Sequence, residues 1–126
     1  MKQIDRLEAN EIFVFGSNEA GAHGAGAAYH ALSFGATMGQ GRGWSGKTYA
    51  IPTKDGFIRT LTLEKIQANV NEFIDFAREH SDLTFVVTPV GCGLAGYKPV
   101  NIAPLFKEAM TVSNIMLPEE FKNLLV

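Results

Sequence analysis

The chain has 126 residues, 46% hydrophobic and 19% charged, with a formal net charge of −2. That is the size of one domain with one core, residues 1–126 taken together, and the composition is far from that of a disordered chain. The charge excludes long nucleic acid as a partner held by electrostatics alone. One cysteine, Cys92, excludes an intramolecular disulfide, and neither a signal-peptide core nor an apolar run of membrane-spanning length is present, so a cytoplasmic setting is expected.

Ile12–Phe15 is an all-apolar run ending at Gly16, as expected of a strand buried on both faces. Gly26–Phe34 is alanine-rich and predicts a short helix stopped by Gly35. A glycine-rich loop follows from Met38 to Lys47, then a strand over Thr48–Pro52 and a turn or hairpin over Lys54–Arg59. Thr62 is placed to cap the longest helix, Leu63–His80, in which Leu63, Ile66, Val70, Phe73, Ile74 and Ala77 share one face, with Lys65, Asn69, Glu72 and Arg78 elsewhere. Thr84–Val90 reads as the clearest strand, and Pro99 opens a helix to about Met110. Asn114–Leu117 predicts a last strand and Pro118–Leu124 a final helix. Alternation of strands and helices implies an α/β layered fold with a mostly parallel or mixed sheet.

Two stretches stand out by their lack of side-chain bulk: FVFGSNEAGAHGAGAAY (13–29) and VVTPVGCGLAGYKP (86–99). Both follow the plan strand, small-residue loop, helix. In parallel α/β sheets ligands bind beyond the carboxyl ends of strands, and glycine lets a backbone approach a ligand closely. Consecutive N–H groups there favour an anion. Two such loops at one sheet edge can hold a diphosphate between their backbones. Competing motifs fit less well. Gly21, Gly24 and Gly26 lack dinucleotide-fingerprint spacing, and Gly41–Thr48 (GRGWSGKT) matches a Walker phosphate loop as a string but leads into a strand, not a helix.

The two loops resemble those of the macro domain, an α/β family that binds ADP-ribose and related nucleotides. Phe15-Gly16-Ser17-Asn18 and His23–His30 stand where that family has an asparagine-containing turn, a glycine-rich loop and a helix; Val90–Pro99 stands at its second loop. Along Ile12–Phe121 the chain is also similar to a small divergent group of macro-like proteins of phages and bacteria, known as non-structural phage proteins, through FGSN, HGAGAA, YAIPTKD and GCGLAGY. The resemblance implies a compact three-layer α/β/α fold and a cleft for a small nucleotide ligand such as ADP-ribose. In that cleft Asn18 would contact the ribose, with Gly16 and Ser17 beside it. His23, Gly24, Ala25, Gly26 and Ala27 would lie along the phosphate and ribose. Gly91, Cys92, Gly93, Leu94, Ala95, Gly96 and Tyr97 would wrap the diphosphate, Tyr97 near the distal ribose. Two departures matter. The aspartate that many macro hydrolases carry in the first loop is replaced by Gly26-Ala27-Ala28, and the adenine-reading aspartate has only Asp5 as a candidate, at a different spacing.

Each residue has a plainer reading beside the functional one. Asn18 is a ligand contact or a turn-former. His23, between alanine and glycine, is a poor core residue by its neighbours, and so a solvated side chain, a ligand contact or a general base. His30 suits packing or a solvated position rather than catalysis, and His80 suits a helix C-terminus. Cys92 is a nucleophile or a small buried residue. Arg42, Trp44 and Lys47 form a lid or an exposed hairpin, and Lys54-Asp55 a turn or a cleft-edge pair. No metal-ligand spacing is evident, and no cofactor is expected. Three functions follow: a nucleotide-binding module; a hydrolase of ADP-ribosyl or related nucleotide bonds using Asn18, His23 and a water; or a phage interaction protein with a vestigial cleft. The absent loop acid favours binding.

Overall fold

In the computed structural model, which describes residues 4–126, five strands form one mixed sheet. The elements run β1 (Glu11–Asn18), α1 (Gly26–Ala31), β2 (Gly43–Ser45), β3 (Thr48–Lys54), α2 (Leu63–Glu79), β4 (Thr84–Val87), α3 (Pro99–Ile102), β5 (Ile115–Met116) and α4 (Glu119–Leu125). The strand order is β2-β3-β1-β4-β5. β1 lies at the centre, parallel to β3 on one side and to β4 on the other; β5 is parallel to β4, and only β2 runs antiparallel.

The alternation of β1 explains the layers. Ile12 and Val14 face a large core built from α2, α4 and the segment Ala103–Thr111, joined by Tyr49, Ile51, Phe85 and Val87 from the neighbouring strands. Phe13 and Phe15 face the opposite side, where Ala28 and Ala31 of α1 cover them with Ala50 beneath. Successive side chains of a strand point to opposite faces, so one apolar run feeds two cores. The result is helices on both faces of a mixed sheet, compatible with the expected three layers.

The elements differ from the sequence reading where backbone chemistry intervenes. β1 does not stop at Phe15: Gly16, Ser17 and Asn18 pair with Ile51, Pro52 and Lys54, with a register shift after Ser17. β4 ends at Val87, before Pro89, which has no N–H to give a ladder. The helix expected from Pro99 to Met110 is α-helical only to Ile102 and continues as a 3-10 segment over Ala103–Thr111. Pro104 accounts for this, since it has no N–H for the i−4 bond and its ring crowds that carbonyl. The loop from Met38 to Lys47 contains β2, whose glycines mask its strand character. Asn69, placed off the apolar face of α2, is buried; its amide donates to the Pro52 carbonyl (3.0 Å) and accepts from Arg42 (3.0 Å).

Thr62 caps α2 as expected, its hydroxyl accepting from the Lys65 N–H at 3.3 Å. Thr62→Ala is expected to cost about 1 kcal/mol. Urea unfolding should show a lower midpoint with an unchanged slope.

Candidate functional site

The parallel alignment of β1, β3 and β4 puts their carboxyl ends at one edge. The loop after β1 leads to α1 on the small face, while the loop after β4 leads to α3 and Ile102 in the large core. Adjacent parallel strands whose connections diverge to opposite faces leave a crevice between them. A cleft of about 790 Å3 lies there, and both side-chain-poor loops line it.

From the first loop it takes Gly16, Ser17 and Asn18 at the end of β1 and Gly24–Ala27 beyond; from the second it takes Gly91–Ala95. The loops approach closely: a Cβ on Gly26 would sit 3.8 Å from Leu94 Cδ1, and one on Gly16 would sit 3.2 Å from the Gly91 nitrogen. Three expected residues lie elsewhere. His23, Gly96 and Tyr97 are not in the wall of the cleft. Tyr97 donates its hydroxyl to the Leu61 carbonyl at 2.7 Å and packs against the large core, which holds its ring outside the cleft wall.

His23 corrects the expectation most sharply. It is 1% exposed, edge-on to the Phe15 ring at 5.4 Å, with its Nε2–H donating to the Gln40 carbonyl at 2.9 Å. A side chain buried behind the loop is not poised as a general base in the cleft. His30 and His80 are structural as expected: His30 bonds the Ile4 carbonyl and meets Phe13 and Phe34, and His80 bonds the Phe76 carbonyl at 2.8 Å.

Asn18 proves a turn-former. Its side-chain amide donates to the Ala22 carbonyl at 2.8 Å and accepts the Ala22 N–H at 2.9 Å. The hydroxyls around the cleft are also occupied within the protein. Ser17 donates to Gly41, Thr53 to Ser17 at 3.2 Å, and Thr88 to Val14 at 2.8 Å. What the cleft leaves open is backbone. The N–H groups of Gly24 and Ala25 in the first loop, and of Gly91, Gly93, Leu94 and Ala95 in the second, have no acceptor among the described residues. The first-turn amides of α1 join them by helix geometry.

The glycines divide accordingly. At Gly21 a Cβ would overlap the backbone of Gly39 and Gln40, and at Gly41 it would overlap Asn18, so the protein's own chain demands smallness there. At Gly24 and Gly93 a Cβ would meet nothing within 4 Å.

Sequence reasoning left Lys54 undecided and missed Glu120; both line the cleft. Lys54 sits at the end of β3 and takes part in no ion pair among the described residues. Glu120 comes from α4, sixty-odd residues in sequence from Lys54, and only the fold brings it here. Asp55 is a turn residue whose carboxylate accepts from the N–H groups of Phe57 and Arg59. A second groove of about 980 Å3 adjoins the cleft, sharing Gly26, Ala27, Thr88, Pro89 and Glu120, and Asp5 is in its wall. The proposed lid does not form: Lys47 bonds the carbonyls of Leu7 and Glu8, Arg42 pairs with Glu72, and Trp44 packs on Phe76 and His80. The Walker-like string Gly41–Thr48 is therefore β2 and its turn into β3. Among the described residues no group of three His, Cys, Asp or Glu side chains could hold a metal.

Compared with family models, curated proteins and solved structures, the chain finds no match in any of the three.

Burial, with Glu120 adding to it, pushes the Cys92 thiol up to about 11. Cys92 is thus a neutral thiol at neutral pH and a weak nucleophile. Iodoacetamide labelling followed by mass spectrometry should be slow at pH 8 and accelerate only towards pH 11. His23→Ala is expected to destabilise the fold by about 2 kcal/mol through a cavity and an orphaned Gln40 carbonyl, measured by urea unfolding.

Proposed function

We propose that the chain is a macro-like domain that binds ADP-ribose or a related nucleotide diphosphate, the diphosphate lying between the two loops. The observation that carries this reading is the set of unoccupied backbone N–H groups from both loops around one crevice at the strand ends. Neutral backbone amides left without acceptors around a concave site can bind an anion without a cluster of cations. Among the described residues Lys54 is the one cation in the wall and Glu120 the one acid, so their charges balance. That suits a diphosphate whose ends are esterified better than a triphosphate, whose denser charge needs cations. The adjoining groove offers room for a base, with Asp5 available to accept from an exocyclic amine. The phage context belongs to the same proposal and rests on the resemblance alone.

A second reading, hydrolysis of an ADP-ribosyl bond, is favoured by one observation. The cleft holds an acid, Glu120, and an amine, Lys54, that has no ion-pair partner among the described residues, although Asn18 and His23 are committed elsewhere. In that reading Glu120 orients the attacking water and Lys54 steadies the leaving group.

Calorimetry against ADP-ribose, NAD, AMP and cyclic nucleotides tests binding. Gly24→Val and Gly93→Val are expected to weaken ADP-ribose at least tenfold while far-UV circular dichroism stays unchanged, since each new side chain enters open space. No heat across the whole panel would end both readings. For turnover, an ADP-ribosylated protein is incubated with the wild type and with Glu120→Gln; loss of the modification with the wild type alone supports hydrolysis, and an unchanged substrate after long incubation removes it.

A further inference from the structure

The turn after β3 is the third element at the rim, and neither loop motif accounts for it. Ile58 has φ +64, the single non-glycine residue in the left-handed region among those described. For a β-branched side chain this is a strained backbone, which persists only where the surroundings over-determine it. Here they do. The Asp55 carboxylate accepts from the N–H of Phe57 (2.8 Å), the N–H of Arg59 (2.9 Å) and Nε of Arg59 (3.1 Å), and the Ile58 N–H donates to the Asp55 carbonyl (3.1 Å). Next in the chain, Thr60 donates its hydroxyl to the Ala95 carbonyl at 3.0 Å, tying the turn to the second glycine loop.

The strain has no reward in the core. Ile58 is 46% exposed and belongs to neither hydrophobic cluster, yet it lines the cleft. Leu94, from the second loop, also lines the cleft and is 69% exposed. Exposed apolar residues are ordinary one by one; these two share one cleft wall, and one of them holds a strained backbone.

Resting on the reading of the cleft as a diphosphate site, we propose that Ile58 and Leu94 form an apolar pincer that grips the face of a sugar or base ring esterified to the diphosphate, with Asp55 and Thr60 positioning Ile58 for it. The amides hold the charged part of the ligand, and the pincer selects for what is attached. A free diphosphate has nothing for the two side chains to cover. Burying either side chain against a ring removes apolar surface from water at both partners.

The test measures ADP-ribose affinity by calorimetry and melting temperature for Ile58→Asn, Ile58→Gly, Leu94→Ser and Phe57→Ser. Asparagine and glycine accept the left-handed conformation, so the turn survives both changes. Phe57 is the control, 80% exposed on the same turn and outside the cleft wall. The expected result is a loss of about tenfold in affinity for each Ile58 variant and for Leu94→Ser, with Phe57→Ser unchanged and the melting temperature of Ile58→Gly raised by release of strain. Wild-type affinity in the Ile58 variants, an equal loss in Phe57→Ser, or a lowered melting temperature in Ile58→Gly with binding intact overturns the pincer. A wild type that binds nothing in the panel overturns the diphosphate site itself, which is a different failure.

Discussion

Parallel pairing on both sides of β1 is the constraint from which the rest of the molecule follows. Because β3 and β4 run in the same direction as β1, all three strands end at one edge. Their connections must then travel back along the sheet faces, and they do so on opposite faces. Two backbone loops and a strained turn are thereby gathered at a point where the chain parts. An antiparallel arrangement would have scattered the same segments to both ends of the sheet.

The side-chain poverty of the first loop has two causes that the structure separates. Gly21 and Gly41 are small because the loop after β1 lies directly on the Gly39–Gly41 backbone, where Ser17 donates its hydroxyl to the Gly41 carbonyl. His23 belongs to this layer, wedged between Phe15 and Gln40. Gly24 and Gly93 have no such neighbour and open onto the cleft. The polar side chains nearest the crevice are spent on holding the loops in shape, which leaves backbone amides as its main donors. A site of that kind is fixed by loop conformation and is insensitive to which small side chains it carries.

The ionisable groups follow the same division. Tyr49 is buried beside Glu72 and pushed up to about 12, and Cys92 is raised as well, so neither adds charge near neutrality. Asp55 is shifted the other way, below its ordinary range, chiefly by the Arg59 backbone N–H it accepts, and it keeps its negative charge where the turn needs an acceptor. Among the described residues the cleft has one lysine and one glutamate, contributed by the end of β3 and by α4.

Much of this was legible in the residues. The apolar period of α2, its Thr62 cap, the buried run beginning at Ile12 and the two loops with strand before and helix after are local patterns, set by side-chain spacing and backbone propensity over a few residues. Local chemistry could also have shown Pro104 breaking the helix after Ile102. Other features had no local signature: burial of His23 depends on Gln40, the cleft position of Glu120 on the docking of α4, and the displacement of Tyr97 on the Leu61 carbonyl. The sequence by itself determined the long helix α2, the start of β1 and the two side-chain-poor loops, because those choices are made by neighbours along the chain, whereas β2 and the end of β1 form only by pairing with β3. Only the tertiary structure decided which amides stay free and which side chains face the cleft, because a hydrogen bond or a burial site is settled by whatever distant segment arrives beside it.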